Sequence, residues 1–141
     1  MAPRIVLDTN VLVAAIRSRT GAAFKLVSLL GKGRFDVVVS VPLVLEYEDA
    51  LLRHAADAGL TAADIEAIVD YLCKVGIHQP VFFLWRPLLP DAKDDMVLEA
   101  AVAGGCDFIV TFNVRDFSAA ATLAIDTLTP KQFLSHIGEL P

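Results

Sequence analysis

The stretch Ile5-Val6-Leu7-Asp8-Thr9-Asn10 joins three apolar residues to an acid, a hydroxyl and an amide. The apolar residues, two of them β-branched, predict a short buried strand. The apolar segment 11–16 follows at once and fits a helix better than a strand. A carboxylate at the carboxyl end of a buried parallel strand lies where open α/β sheets bind their ligands. The alternative is that Asp8, Thr9 or Asn10 only caps the helix that follows.

The composition of the chain predicts a single globular domain over residues 1–141, since 55% of the residues are hydrophobic. A chain of this length buries about two-thirds of its unfolded surface when it folds. Every apolar run is interrupted well before the roughly 20 residues that a membrane-spanning helix needs. Asp8-Thr9-Asn10 also interrupts the only N-terminal run that resembles a signal peptide. We therefore expect a cytoplasmic protein with no membrane partner, whose surplus apolar surface is available for an oligomer interface.

The charge and the cysteines narrow the range of functions. A net charge of −5 argues against a large nucleic-acid footprint. It does not exclude a nucleic-acid enzyme, because clustered active-site acids lower the total charge and a bound cation reverses the local field. Cys73 and Cys106 have no CxxC spacing, and the histidines have no ligand spacing such as HExxH. Neither residue type is therefore assigned a metal role.

Strand and helix signals alternate along the chain. Strands are predicted at residues 4–7, 35–41, 81–85, 108–111 and 123–125. One helix is predicted to end near Arg17, and a second to run from Ala22 to Leu30. Four more are predicted to begin at Pro42, Thr61, Asp91 and Thr129-Pro130. This alternation is typical of the α/β class. We expect a three-layer α/β/α fold with a central, mainly parallel sheet of about five strands.

Acidic and amide side chains recur at the ends of these strands and at the starts of the helices after them. In chain order they are Asp8, Glu46, Asp91, Asp94, Asp95, Asn113 and Asp116. In a parallel sheet these positions share one edge, so the side chains should converge. A helix N-terminus stabilises an acid by only about 0.3–1 kcal/mol, whereas Mg²⁺ or Mn²⁺ binds carboxylate oxygens directly. Asp8, Glu46 and Asp95 are the favoured ligands, ahead of Asp91 and Asp94.

Four motifs, in the same order along the chain, resemble those of the PIN-domain ribonucleases. The resemblance is strongest to the VapC-like branch, the toxin components of toxin–antitoxin pairs. The motifs are residues 6–12 (VLDTNVL), 40–47 (SVPLVLEY), 91–100 (DAKDDMVLEA), and 109–113 (IVTFN) with 115–117 (RDF). They span nearly the whole chain, and four motifs in register are more specific than any one of them.

The resemblance implies hydrolysis of phosphodiester bonds in RNA that depends on Mg²⁺ or Mn²⁺. It places Asp8, Glu46 and Asp95 at the three main acidic positions of the family. Many members have an acid at the fourth position, where this chain has Asn113, with Asp116 three residues later. An amide oxygen can bind Mg²⁺ but adds no charge, so weaker metal binding is expected. The expected catalytic residues are Asp8, Glu46, Asp95 and Asp116, and the expected metal ligands are Asp8, Glu46, Asp95 and Asn113.

Further residues are expected to contact the substrate. Thr9, Asn10 and Thr111 are placed to hydrogen-bond the attacking water or a phosphate, and Arg115 to bind a phosphate. Arg17, Arg19 and Lys93 are additional candidate phosphate contacts. The resemblance also implies a homodimer and a small antitoxin protein whose peptide fills the acidic crevice.

Three alternatives are considered beside the nuclease. Aspartyl-phosphate phosphatases usually have a second acid two residues after the nucleophile, where this chain has Asn10. A phospho-receiver domain requires a lysine after the last strand, where the chain has Asp126-Thr127. A PIN-like module that binds RNA or a partner without cutting stays open because of Asn113.

Overall fold

A computed structural model describes residues 2–81, 89 and 91–140. In these ranges the strands are Arg4–Leu7 (β1), Asp36–Val39 (β2), Ile77–His78 (β3), Phe108–Val110 (β4) and Asp126–Leu128 (β5). The α-helices are Thr9–Arg17 (α1), Ala22–Ser28 (α2), Val41–His54 (α3), Ala62–Val75 (α4), Ala92–Ala103 (α5) and Pro130–His136 (α6). Val114–Leu123 forms a 3₁₀ helix that is kinked at Phe117. None of the described helices has the length and apolar character needed to cross a membrane.

The strands form one sheet in the order β3-β2-β1-β4-β5, and every described pair is parallel. The central strand β1 is apolar because helices cover the sheet, and Ile5, Val6 and Leu7 are fully buried. Helix α1 packs on α2 and α3, whereas α5 packs against β1, β2 and β4. The predicted three-layer α/β/α fold with a parallel sheet of five strands is therefore confirmed.

The strand order places a topological switch point beside β1. The chain passes from β1 outward to β2 and β3, and then returns to β4 on the other side of β1. Such a reversal leaves a crevice outside the carboxyl ends of the two central strands. Leu7 and Val110 end these strands as register partners, so the residues that follow them, Asp8 and Thr111, lie side by side.

The start of α3 shows how local sequence positions a helix at this edge. The hydroxyl of Ser40 accepts a hydrogen bond from the Leu43 N–H at 3.3 Å, and Pro42 occupies the first turn. Both features are typical of a helix N-terminus. One turn later, the fully buried Tyr47 donates its hydroxyl hydrogen bond to the carbonyl oxygen of Leu7. This bond ties α3 to the end of β1.

Two strand predictions differ from the structure, and a third falls mostly on residues that it does not describe. The second strand ends at Val39, and Val41 already belongs to α3. The prediction of a last strand at 123–125 is wrong: Ala124 has a left-handed φ of 60°, which ends the 3₁₀ helix, and the strand begins at Asp126. The predicted strand at 81–85 lies outside the described residues except for Val81, and β3 lies just before it at Ile77–His78.

Candidate functional site

A cavity of about 440 Å³ opens at the carboxyl ends of the central strands, between α1, α3 and the start of α5. We call it the switch-point cavity. Four acids line it, namely Asp8, Glu46, Asp91 and Asp94. Thr9, Asn10 and Asn113 line it as well, as do the basic residues Arg17, Arg53, His54 and Lys93. The structure thus brings together side chains that are distant in sequence, as a parallel sheet requires.

Asp8 is held at the bottom of this cavity by hydrogen bonds from β4. Its backbone N–H donates to the carbonyl oxygen of Val110 at 2.9 Å, and its Oδ2 accepts from the Thr111 hydroxyl at 2.7 Å. Although Asp8 occupies the N-cap position of α1, its side chain makes no capping hydrogen bond to that helix. Burial raises the pKa of the Asp8 carboxyl, and hydrogen bonds from the Thr111 hydroxyl and the Thr9 backbone N–H oppose that rise. The carboxylate is therefore oriented chiefly by Thr111, the residue that follows β4.

Thr111 positions Asp8. The residue is fully buried, and its hydroxyl donates to Asp8 while accepting from Asn10 Nδ2 at 3.4 Å and from the Asn113 N–H at 3.0 Å. A hydroxyl has one hydrogen to donate and two lone pairs that accept. All three are used within the protein, so Thr111 has no capacity left for the substrate contact expected from the sequence.

Asn10 connects α1 to the chain segment that follows β4. Its Nδ2 donates to Thr111, and its Oδ1 accepts from the Phe112 N–H at 3.4 Å. Asn10 and its neighbour Thr9 both line the switch-point cavity, where the sequence placed them. Asn113 lines the cavity too, and its backbone is held by Thr111.

At the start of α5 the structure separates two adjacent acids. Asp94 lines the cavity, whereas Asp95 does not and is 2% exposed. Consecutive residues of an α-helix point about 100° apart, because each turn takes 3.6 residues, so the side chains of Asp94 and Asp95 point in different directions. Oδ2 of Asp95 has no hydrogen-bond partner among the described residues. Asp95 lies three residues before the buried Leu98, and this spacing places the two side chains on the same inward face of α5.

Burial and neighbouring carboxylates both act on Asp94. Together they raise its pKa to about 6: burial is the largest cause, followed by the negative charges of Asp8, Asp91, Asp116 and Asp95. Asp116 is exposed and does not line the cavity, yet its charge also raises the pKa of Asp8. A cation at this position would relieve the repulsion, because opposite charge favours the ionised form of each carboxyl.

Glu46 lies between two cations. Its Oε1 is 4.0 Å from Arg53 Nη2 and 4.0 Å from Lys93 Nζ. The side chains of Arg53 and Lys93 are more than half exposed, so these long pairs are weak and leave the carboxylate available to another ligand. The sequence had assigned no role to Arg53 or His54, because nothing in the pattern of α3 indicates which of its faces meets α1.

Comparison with known proteins identifies the family. Residues 4–115 match the family model of the PIN domain. This chain belongs to the PIN-domain family. The family predicted from the four motifs is thereby confirmed. No curated protein sequence matches the chain significantly.

One solved structure shares the fold of this PIN domain. It is a chain in the crystal structure of VapBC2 from Rickettsia felis bound to a DNA fragment from their promoter, with a TM-score of 0.58. The sequences are 16% identical, and the alignment covers 88% of this chain and 98% of that chain. At this identity the likeness concerns the fold.

Two basic residues expected to contact substrate lie away from the switch-point cavity of the PIN domain. Arg115 lines a separate cavity between the 3₁₀ helix and β5. Arg19 lines an apolar groove formed with residues such as Phe24 and Ile68. Arg17 and Lys93, in contrast, line the switch-point cavity itself.

The acids of the cavity fit a Mg²⁺ or Mn²⁺ ion bound largely by water. Among residues 2–81, 89 and 91–140, no three His, Cys, Asp or Glu side chains form a ready-made metal site. Mg²⁺ needs no such cage, since it usually retains several waters and takes one or two carboxylates. Asp8 and Asp94 meet that need, because both carboxyls have raised pKa values beside other negative charges.

Proposed function

We propose that this PIN domain is a nuclease that hydrolyses phosphodiester bonds in RNA with the help of Mg²⁺ or Mn²⁺. PIN domains are generally nucleases, which supports the reaction class. The observation that carries the proposal is the convergence of Asp8, Glu46 and Asp94 on one cavity at the switch point. Burial and the negative charges of Asp8 and Asp91 raise the pKa of Asp94, and a bound cation would relieve that repulsion.

In this proposal each residue has a defined role. Asp8 and Asp94 would hold the ion, with Glu46 and Asn113 beside it in the cavity. Thr111 keeps the Asp8 carboxylate in position through its 2.7 Å hydrogen bond. A divalent ion at these residues would supply an activated water and neutralise the charge that develops on the leaving oxygen. Asp116 adds negative potential from outside the cavity.

The proposal takes Asp94 as the third acid, where the sequence favoured Asp95. Asp94 lines the cavity, and its pKa responds to the charge of Asp8. Asp95 as a ligand stays a sequence-based prediction, which the paired substitution described in the Discussion tests.

We further propose that the protein is the toxin of a toxin–antitoxin pair, acts in the cytoplasm and forms a homodimer. The VapC-like motifs support the toxin role, and the fold shared with the VapBC2 chain is consistent with it. A small antitoxin would act by placing a peptide in the acidic cavity. Val41 and Leu45 on α3, 72% and 62% exposed, support a contact between two copies of the chain.

The decisive experiment is cleavage of a fluorescent single-stranded RNA by protein first stripped of metal with EDTA. Products should form only after Mn²⁺ or Mg²⁺ is added, and Asp8→Asn should abolish them. Single-stranded DNA of the same sequence tests the choice of RNA. Cleavage that persists in EDTA, or that Asp8→Asn leaves intact, would show that the metal site is assigned wrongly.

A second function is favoured by one observation: the fourth family acid is replaced by Asn113. The chain would then be a module that binds RNA or a partner without cutting. Asn113→Asp separates the two functions, because it adds a charge to the cavity and should strengthen metal binding. RNA binding without Mn²⁺, and no product from either protein, would favour the inert module.

A further inference from the structure

The switch-point cavity extends beyond its acids into a basic end that the proposed chemistry does not use. Along α1 it is lined by Asn10, Val13, Ala14 and Arg17, which share one helix face. Along α3 it is lined by Glu46, Ala50, Arg53 and His54, which also share one face. Because α1 packs on α3, the two faces form the sides of a single groove.

The groove runs from negative to positive charge. Both helices begin near the acids and end at the basic residues. At a rise of about 1.5 Å per residue, Arg17 lies about 13 Å along α1 from Asp8. Arg53 lies about two turns beyond Glu46 on α3, and its Nη2 reaches back to 4.0 Å from Glu46 Oε1, so it borders the acids. Between the two ends the lining is small and apolar, with Ala14 and Ala50. That lining leaves room for the sugar and base of a nucleotide.

The arginines are available for a ligand. The side chain of Arg17 is exposed, and it makes no hydrogen bond or ion pair with another residue of the described ranges. Arg53 pairs with Asp49 at 3.4 Å and with Glu46 at 4.0 Å, and its side chain is 55% exposed. Pairs of this kind contribute little, so a phosphate can replace them. Basic residues in a last turn also stabilise their helix, but that effect does not require both to line the same cavity.

We propose that Arg17 and Arg53, assisted by His54, bind a backbone phosphate of single-stranded RNA at a distance from the phosphate that is cleaved. This inference rests on the proposed nuclease function and adds a positioning subsite to it. The arginine guanidinium suits the site, because its planar donors match phosphate oxygens. The subsite explains how a chain with a net charge of −5 holds a polyanion: the basic residues face the groove.

The experiment compares Arg17→Gln and Arg53→Gln with wild type, and with Arg19→Gln as a matched control. Arg19 lies two residues beyond Arg17 but lines a different groove. The substrates are uridine RNAs of 12 and 3 nucleotides, each labelled with fluorescein and cleaved in Mn²⁺ at several KCl concentrations. Thermal unfolding of each variant confirms that it folds.

Arg17→Gln should raise KM for the 12-nucleotide RNA by roughly fivefold to tenfold and leave kcat within about twofold, and Arg53→Gln should raise KM by a similar factor. A contact remote from the reacting phosphate contributes equally to the ground state and the transition state, which is why kcat is spared. Each loss of a phosphate contact should also reduce the salt dependence of log KM by about 0.7. Arg19→Gln should match wild type, the 3-nucleotide RNA should show no effect of either substitution, and Arg17→Lys should recover part of the loss.

The failures are distinguishable. If wild type cleaves RNA but Arg17→Gln and Arg53→Gln keep its KM and salt dependence, the subsite is overturned and the nuclease proposal stands. A fall in kcat at constant KM, or an equal effect on both RNA lengths, also overturns the subsite. If wild type cleaves neither RNA in Mn²⁺, the proposed function fails and the subsite fails with it.

Discussion

The charged residues at the two edges of the sheet differ in how well they are paired with opposite charges or hydrogen bonds. At the amino-end edge the Arg4 N–H donates to Asp107 Oδ2 at 2.9 Å, and Arg34 forms an ion pair with Glu139. Arg34 also donates to the carbonyl oxygen of Ile137. These charges are matched by partners within the fold, and they hold the first strand and the C-terminal segment in place.

At the carboxyl-end edge the acids face one another across a cavity. The pKa of Asp8 is raised, and that of Asp94 reaches about 6. The amino-end edge has a larger cavity, of about 660 Å³, against about 440 Å³ for the switch-point cavity. Size therefore does not identify the functional edge. Uncompensated charge favours the carboxyl-end edge, because carboxylates with raised pKa values cluster at functional sites.

The largest expected effect is the loss of RNA cleavage when Asp94 is substituted, compared with substitution of its neighbour Asp95. Asp94→Asn should reduce Mn²⁺-dependent RNA cleavage by at least ~100-fold, since it removes a proposed ligand from the cavity. Asp95→Asn keeps the shape of a side chain that is buried away from the cavity and should retain activity within roughly tenfold. The rates of RNA cleavage by the purified variants, each shown to be folded, test this prediction. A larger loss of cleavage in Asp95→Asn than in Asp94→Asn would assign the ligand role to Asp95.

The next effect concerns Thr111, which acts on the ion through Asp8. Thr111→Val keeps the shape of the buried side chain but removes the hydrogen bond to the carboxylate, and metal affinity should fall by about 10–100-fold. Thr111→Ser preserves the hydroxyl and should restore most of it. Calorimetric titration with Mn²⁺ measures both. Equal affinity in wild type and Thr111→Val would mean that Asp8 needs no orientation from β4.

A third test uses stability, and its sign is set by the raised pKa of Asp94. The pKa rises from 3.8 to about 6, so between these values the folded chain binds more protons than the unfolded chain. Without metal, stability should fall as pH rises from about 4 to about 6 and level off above. Asp94→Asn should remove this decline and raise the metal-free Tm at pH 7 by about 2–4 °C.

Asp64 provides the control of opposite sign for that test. The backbone and side-chain hydrogen bonds with Thr61 lower the pKa of Asp64, so its ionised form stabilises the start of α4. Asp64→Asn should therefore lower Tm at neutral pH, and its effect should fade as the pH drops below the ordinary aspartate range. Thermal unfolding from about pH 2 to about pH 8 measures both variants. If the metal-free Asp94→Asn variant is less stable than wild type at pH 7, then repulsion at Asp94 does not destabilise the protein.

The smallest effect is expected at the amino-end edge. Arg34→Ala breaks a partly exposed ion pair and should cost at most about 1 kcal/mol of unfolding free energy. Cleavage of RNA should stay at the wild-type rate, because Arg34 lies at the end of the sheet opposite the acids. Denaturant unfolding and the RNA assay test this together. A loss of cleavage comparable to that of Asp94→Asn would erase the difference between the two edges.

Much of this architecture could be predicted from short-range patterns. The strand Arg4–Leu7, the Ser40 cap of α3 and the Thr61 cap of α4 depend on residues within one or two turns of each other. The last strand could not be predicted in the same way. Leu123-Ala124-Ile125 is apolar and resembles a strand. The left-handed backbone at Ala124 and the pairing of Asp126 with Phe108 place the strand three residues later, at Asp126–Leu128.

The sequence by itself determined the α/β class, the parallel order of elements and the gathering of acids at one edge, because strand ends and helix starts must meet there. Only the tertiary structure decided which of two adjacent aspartates faces the cavity, since that depends on how α5 is rotated against the sheet. It also decided that Thr111 serves Asp8, 103 residues away, and that Arg17 and Arg53 share a groove. These facts depend on contacts between distant segments, and no local pattern of residues encodes them.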